Sequence, residues 1–374
     1  MGTVLHRRGG DAVTTIPIAD PDLGEEEQRR VSEVIDSGVV ADGPTVRTFE
    51  EEFASYCEAD HGVATSNGTT ALHAALHALG IGEGDRVVTS PFSFVASANA
   101  IRMTGATPVF ADIDPETYNL DPGAVAETFE AHDGEVDAIL AVHLYGLPAD
   151  VEPLAEIADE HDADLVEDAA QAHGATYQGR PVGSLGDAAC FSFYPTKNMT
   201  TGEGGMITTD RADIAERAAQ FINHGRDGAY DHAELGHNFR MTSIAAAIGR
   251  AQLEKLPEYV DARRRNAREL TDRLGGMSAV APPFDPPHAR HAYHQYTIRS
   301  SDRDGLREYL EDSGIDTGVY YPTPIHEQPA YEHVDADAPV AEQTADEVLS
   351  LPVHPKLSDD DVRTIATIVQ SYFE

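Results

Sequence analysis

Lys197, in the segment FSFYPTKNMTTGEGG (191–205), is one of only three lysines in a chain of 374 residues; the others are Lys255 and Lys356. Arginine supplies almost all of the positive charge elsewhere, so a lysine beside an apolar run points to a job that guanidinium cannot do. An amine near apolar surroundings can lose its proton and attack a carbonyl carbon. Asp168, in DLVEDAAQAHGA, comes just after the apolar pair Leu165 and Val166, with Glu167 between. A carboxylate there suits a metal, a ribose, a protonated ring nitrogen or a plain helix N-cap. Ser66, Asn67, Gly68 and Thr69 follow a third apolar run and open a helical pattern. Glycine permits close backbone approach, and free N–H groups at a helix start suit a phosphate. No Gly-Lys-Ser/Thr follows, so this is not a Walker A loop, and by itself the segment also reads as a turn with a capping threonine.

These three sites sit where alternating elements would converge. From residue 60 to about 210, short β-branched or apolar runs alternate with helical stretches: GVATS (62–66), DRVVTS (85–90), TPVFADID (107–114), VDAILAVHLYG (136–146), DADLVEDAA (162–170), DAACFSFYPTK (187–197) and GGMITTD (204–210). Between the first two, Leu72, Ala75, Leu76 and Leu79 recur at helical spacing. Alternation of this kind predicts an α/β fold with a mostly parallel sheet between helices, although the last two runs are close enough to pair as a hairpin. In such sheets ligands collect at the carboxyl ends of the strands. Beyond residue 240 a long helical region, broken or bent near Pro257, leads toward a smaller α+β unit that ends in an amphipathic helix. The expected division is a large domain over 1–250 and a small one over 251–374, with VAPPFDPPHAR (280–290) as a surface connection.

Composition narrows the class. With 41% hydrophobic residues the chain can bury a large core, and 65 acidic against 26 basic residues give a formal charge of −39. The acids are scattered, which predicts a solvated acidic shell of the kind suited to high salt. Such a surface repels nucleic acid and anionic lipid. Cys57 and Cys190 are the only cysteines, too few for a disulfide framework or a zinc site, and no metal is expected. The opening MGTVLHRRGGDAVTT has two arginines but no apolar leader core, and His6 departs from the myristoylation pattern. A cytoplasmic protein is the expectation.

A reactive lysine, an aspartate and a phosphate loop together make the set that pyridoxal 5'-phosphate requires. With the further segments PIADPDLGEEE, SGVVADGPTVRTFEEEFASY, SNGTTALHAAL, PFSFVASANAI, GHNFRMTSIAAAIG and LSLPVHPKLSDDDV in order, the chain resembles the DegT/DnrJ/EryC1/StrS sugar aminotransferases, a branch of the fold-type I pyridoxal-phosphate enzymes similar to aspartate aminotransferase. The resemblance runs over nearly the whole length. It implies that Lys197 binds the cofactor covalently and moves the proton, that Asp168 pairs with the pyridine nitrogen, and that Gln171 lies near the ring hydroxyl. It places Phe94 at the ring-stacking position, where a plain core role is the other reading. Gly68, Thr69 and Ser192 would hold the phosphate. Asn238 would reach it from the neighbouring subunit, so that a homodimer shares its sites. His326 would approach the sugar. Apart from the resemblance, an acidic protein that binds an anionic sugar nucleotide needs local cations, for which Arg240 or the arginines at 263–265 are the candidates.

The reaction so implied takes an amino group from L-glutamate to a keto group of a nucleotide-linked hexose in glycan synthesis. Family dehydratases carry histidine in place of the lysine, and Lys197 argues against them. A noncatalytic regulatory relative should have lost Lys197, Asp168 or the phosphate loop, and all three are present.

Overall fold

Seven of the apolar runs form one sheet: His61–Thr65 (β1), Arg86–Thr89 (β2), Thr107–Phe110 (β3), Ala138–Val142 (β4), Asp164–Asp168 (β5), Ala188–Ser192 (β6) and Gly205–Thr209 (β7). The computed structural model describes residues 15–228, 230–334 and 336–374; the segment read above for a leader or lipid signal lies almost wholly outside them. In space the order is β1-β7-β6-β5-β4-β2-β3. Neighbours from β6 through to β3 are parallel, while β7 runs antiparallel to both β6 and β1. The hairpin alternative for the last two runs is the one realised. Every residue of β4 is buried, as expected for an interior strand covered on both faces.

Helices cover both faces because side chains alternate along each strand. On β6, Ala188 and Cys190 join a core with Leu72 and Leu76 of helix α3 (Gly68–Leu79). Ala189 and Phe191 turn to the other core, where Phe49 and Phe53 of α2 (Pro44–Tyr56) pack. Both cysteine thiols are buried and free, and burial pushes each well above its ordinary pKa.

The long helix α8 (Ser243–Leu274) runs through Pro257 without a break. An interior proline removes one backbone hydrogen bond, but Leu253, Leu256 and Val260 on either side are anchored in the core with Phe49, and that packing holds the helix together. Farther along, Ala267, Leu270 and Leu274 join a separate core with Tyr296, Ile298, Leu349 and Ile365. It is built on an antiparallel sheet of Val280–Ala281 (β8), Tyr296–Ser300 (β9) and Val348–Leu351 (β10), backed by the C-terminal helix Asp359–Tyr372. The stretch at 280–290, expected to be a plain connection, pairs at both ends: Val280 and Ala281 with β9, and Ala289 and Arg290 with Tyr177 and Thr176. No helix among the described residues is long and apolar enough to cross a membrane.

Candidate active site

β1, β5 and β6 deliver Thr65, Asp168 and Ser192 to the same end of the sheet, because β5 and β6 are parallel and β1 points the same way across β7. The geometry at this end decides between the readings of the Ser-Asn-Gly-Thr segment. The cap of α3 is Asn67, whose Oδ1 accepts from Thr70 N at 2.9 Å while Thr70 Oγ1 accepts from Asn67 N at 3.1 Å. Thr69 has no part in this box. The N–H groups of Gly68 and Thr69 therefore stay open among the described residues, as first-turn donors do. A Cβ on Gly68 would lie 2.7 Å from Ser192 Cβ, so only glycine lets the helix start press against the strand end that carries the Ser192 hydroxyl. Gly205 does the same from below, where a Cβ would lie 2.4 Å from the Asn67 carbonyl oxygen. Two amides at a helix N-terminus and one hydroxyl make a cradle of the right chemistry for a phosphate.

Asp168 is 5% exposed at the end of β5. Its Oδ2 accepts from Ser97 Oγ at 2.7 Å and its Oδ1 from Ala170 N at 3.2 Å. Burial raises its pKa, and Ser97, the Ala170 amide, Lys197 and His143 oppose the rise. A buried carboxyl so placed gains from a cationic partner such as a protonated ring nitrogen. Behind it, His143 is wholly buried, with Nδ1 accepting from Ala149 N at 3.0 Å and Nε2 donating to Glu167 at 2.9 Å. This bonding fixes the ring's tautomer.

Lys197 follows the turn closed by its own N–H on the Tyr194 carbonyl. Desolvation brings its pKa down from 10.5 to about 8, with Asp168 pulling the other way. The next residue, Asn198, ties the loop down by donating to the Ala292 carbonyl at 3.0 Å. Two buried histidines feel the same amine: burial first, then Lys197, lowers His173 to about 3 and His294 well below its usual range. They are therefore neutral and do not add charge next to the amine.

The other expected residues divide into two groups. Gln171 is buried beside Asp168; its Oε1 accepts from Tyr145 N at 2.8 Å and its Nε2 donates to Tyr321 Oη at 3.2 Å. Phe94 is 56% exposed, one turn before Ser97 and 6.0 Å from the Tyr321 ring; exposure on that scale does not fit a core role. Phe239 and Arg240 run along the end of β1, where Ser66 N donates to the Phe239 carbonyl and Arg240 bridges to Thr65, while Asn238 bridges to Asn223 and makes no hydrogen bond to its own chain's cradle among the described residues. Arg240 is occupied in part by Asn238 and Asn223. His326, by contrast, bonds Glu342 at 3.1 Å and packs near Phe110, with no hydrogen bond to the groups around Asp168. Arg263 is buried against the carbonyls of Tyr293 and His294, and Arg264 donates to that of His291, which leaves Arg265 as the exposed one of the three.

Sequence reasoning missed Ser97, Tyr321 and the His143–Glu167 pair. Ser93 and Ser97 fall one helical turn apart, 3.0 Å between hydroxyls, a spacing that could have drawn attention in an otherwise apolar segment. Tyr321 gave no local signal, because a turn of chain from the other end of the sequence brings it in.

Comparison with known proteins agrees with this geometry. The DegT/DnrJ/EryC1/StrS aminotransferase family matches residues 21–370. The dTDP-3-amino-3,4,6-trideoxy-alpha-D-glucose transaminase of Streptomyces venezuelae is 39% identical over 94% of this chain and 93% of its own. A pleiotropic regulatory protein of Geobacillus stearothermophilus is 40% identical over 94% and 95%. The crystal structure of S. venezuelae DesV in complex with a ketimine intermediate superposes with a TM-score of 0.90, at 39% identity, over 93% of this chain and 94% of that one. The chain therefore belongs to the DegT/DnrJ/EryC1/StrS family, as a sugar aminotransferase whose cofactor is pyridoxal phosphate.

Proposed function

We propose that this aminotransferase takes the amino group of L-glutamate and delivers it to a keto group on a nucleotide-linked hexose, for amino-sugar and glycan synthesis in the cytoplasm. The observation that carries the reading is the pairing of Lys197, with its pKa brought to about 8, and the buried Asp168 carboxyl at the same sheet end as the Gly68–Ser192 cradle. Bound pyridoxal phosphate supplies an aldehyde and an electron sink. Gly68 N, Thr69 N and Ser192 Oγ hold the phosphate, and Asp168 keeps the ring nitrogen protonated. Gln171 is placed for the ring hydroxyl and Phe94 for the ring face. Lys197 Nζ takes a proton from the donor's α-carbon and returns it to the acceptor, a general base and acid whose pKa lies near neutral pH. Among the described residues no metal is called on in this scheme.

A homodimer completes the site in this proposal, with Asn238 of each chain reaching its partner's cradle. Tyr230, at the turn of the adjoining hairpin, and Leu235, just beyond it, are 90% and 85% exposed and support it, since apolar side chains that far into water favour a covering partner. The division into a large unit over 1–250 and a small one over 251–374, and a surface adapted to high salt, belong to the same reading. Arg240 and His326 remain the proposed contacts to the sugar nucleotide.

One second reading has a specific observation behind it, the 40% identity to a protein named as a regulator. The absorption spectrum separates the two. Wild-type protein with pyridoxal phosphate in high salt should show a yellow band that L-glutamate discharges, and Lys197→Ala should not form it. A folded protein that neither retains the cofactor nor answers to glutamate would replace the enzyme with the regulator.

A further inference from the structure

A second recess lies at the opposite end of the sheet. β2 and β3 run parallel to β5 through β4, so Arg86 and Thr107, where they start, are at the far end from Asp168. Here residues 105–109 floor a cavity of about 480 Å³ against the edge strand β3, and Arg86, Arg102, His132 and His333 stand around it. That size is typical of small-molecule sites.

The charge of this lining is opposite to that of the protein. No carboxylate lines it among the described residues, in a chain with a formal charge of −39. Arg102 is exposed and makes no ion pair among the described residues; its guanidinium donates to Nε2 of His333, which must be neutral to accept. Its positive charge therefore has no counter-ion among the described residues. Arg86 touches Glu135 at 3.3 Å, but that carboxylate is 76% exposed, so water competes for the pair. His132 has Nδ1 fixed on the Thr128 carbonyl at 2.9 Å, which leaves Nε2 uncommitted among the described residues. Between these groups Ala106, Pro108, Val109 and Val334 supply apolar surface.

We propose that this recess binds a nucleotide through its phosphates, at a site separate from the Lys197 centre. Guanidinium forks match phosphate oxygens in shape and charge. In the field of an acidic protein, an anion is held only where local cations are left uncompensated. The diphosphate would engage Arg86 and Arg102, displacing His333 as the acceptor for Arg102, and the nucleoside would cover the Pro108–Val109–Val334 surface. The volume of about 480 Å³ exceeds what a phosphate alone would fill.

Calorimetric titration of the pyridoxal-phosphate-loaded protein with UDP and with inorganic pyrophosphate tests the assignment: the cofactor fills the Gly68–Ser192 cradle, and UDP held at the proposed sugar-nucleotide contacts Arg240 and His326, which do not line the recess, would be untouched by substitutions here. Arg86→Gln/Arg102→Gln should weaken binding of both probes at one site per chain by about tenfold or more, while the cofactor absorbance and Tm stay as in the wild type. Arg102→Lys should recover part of the loss. UDP binding tighter than pyrophosphate at the affected site supports the nucleoside contact, and equal affinities overturn it. Identical titrations for wild type and double variant overturn the site, leaving the arginines as charges that keep the edge strand from pairing. Should the double variant not fold, the exposed Arg102→Gln alone gives the same two readings.

Discussion

Gly68→Ala is the most direct probe of the phosphate cradle. A Cβ there meets Ser192 Cβ at 2.7 Å and Ser192 Oγ at 3.2 Å; the hydroxyl can rotate away, but the nearer Cβ is the root of its side chain and cannot. Gly68 has an ordinary helical backbone, so the strain is steric, of the kind that costs about 1–3 kcal/mol in a packed core. The cheapest relief moves the start of α3 off β6 by a few tenths of an ångström and spoils the alignment of two amides and a hydroxyl on one phosphate. A hydrogen bond to a charged group contributes about 1.5–3 kcal/mol, so loss of one raises the dissociation constant about tenfold to a hundredfold. Apoprotein titrated with pyridoxal phosphate, and separately with pyridoxal, reads this by absorbance. The phosphorylated form should weaken by that factor and pyridoxal by no more than about twofold, within about 0.4 kcal/mol. Equal weakening of the two would mean that Gly68 acts through general packing. No weakening of either would remove the cradle from its assigned place.

Three further outcomes follow from the geometry around Lys197 and α2. Ser97→Ala removes the 2.7 Å bond to Asp168 and lets burial raise that carboxyl further; rapid-mixing measurement of the glutamate half-reaction should show a rate about tenfold lower with cofactor retained, and a wild-type rate would deny Ser97 this positioning role. Lys197→Met in the apoprotein relieves an ammonium whose pKa falls from 10.5 unfolded to about 8 folded. The variant should be more stable by about 3 kcal/mol below pH 8, and the gap should close as pH rises from 8 toward 10.5; a gap that widened with pH would reverse the sign of the argument. Glu50 is 5% exposed, and desolvation raises its pKa from 4.5 to about 7 against the Ala64 amide and Arg47. Wild-type stability should therefore fall relative to Glu50→Gln as pH rises from 4.5 to 7, by up to about 3 kcal/mol, and stay level above that; denaturant midpoints for the two proteins that moved together across this range would exclude it.

The strands were legible because each is a short apolar run bounded by turn residues, and Asp168 and Lys197 stood out as polar groups at or just past the ends of such runs. The lysine's rarity added a signal that spacing alone would not carry. What local pattern could not supply was pairing across the sequence. The short spacing allowed GGMITTD to pair with β6 as a hairpin, but nothing in it says that its other edge takes β1, whose residues lie more than a hundred positions away. The continuity of α8 was hidden for a related reason: proline lowers the intrinsic preference for helix, and only the burial of Leu253, Leu256 and Val260 overrides it. Tyr321 reaches Gln171 over 150 positions of chain, beyond the range of any periodicity.

The same helix ties the two cores together mechanically. At about 1.5 Å per residue it is a strut of about 48 Å, with Ala246 to Val260 set in one core and Ala267 to Leu274 in the other. Loss of either core strips packing from half of the strut, and a helix in water owes most of its stability to that packing. Melting on one side thus withdraws support from the other, and heat should find one cooperative unit where the outline suggests two. A chain cut at Pro257 would leave each half with an apolar stripe and nothing to bury it against, so the break that the proline seems to invite is the one the protein could least survive.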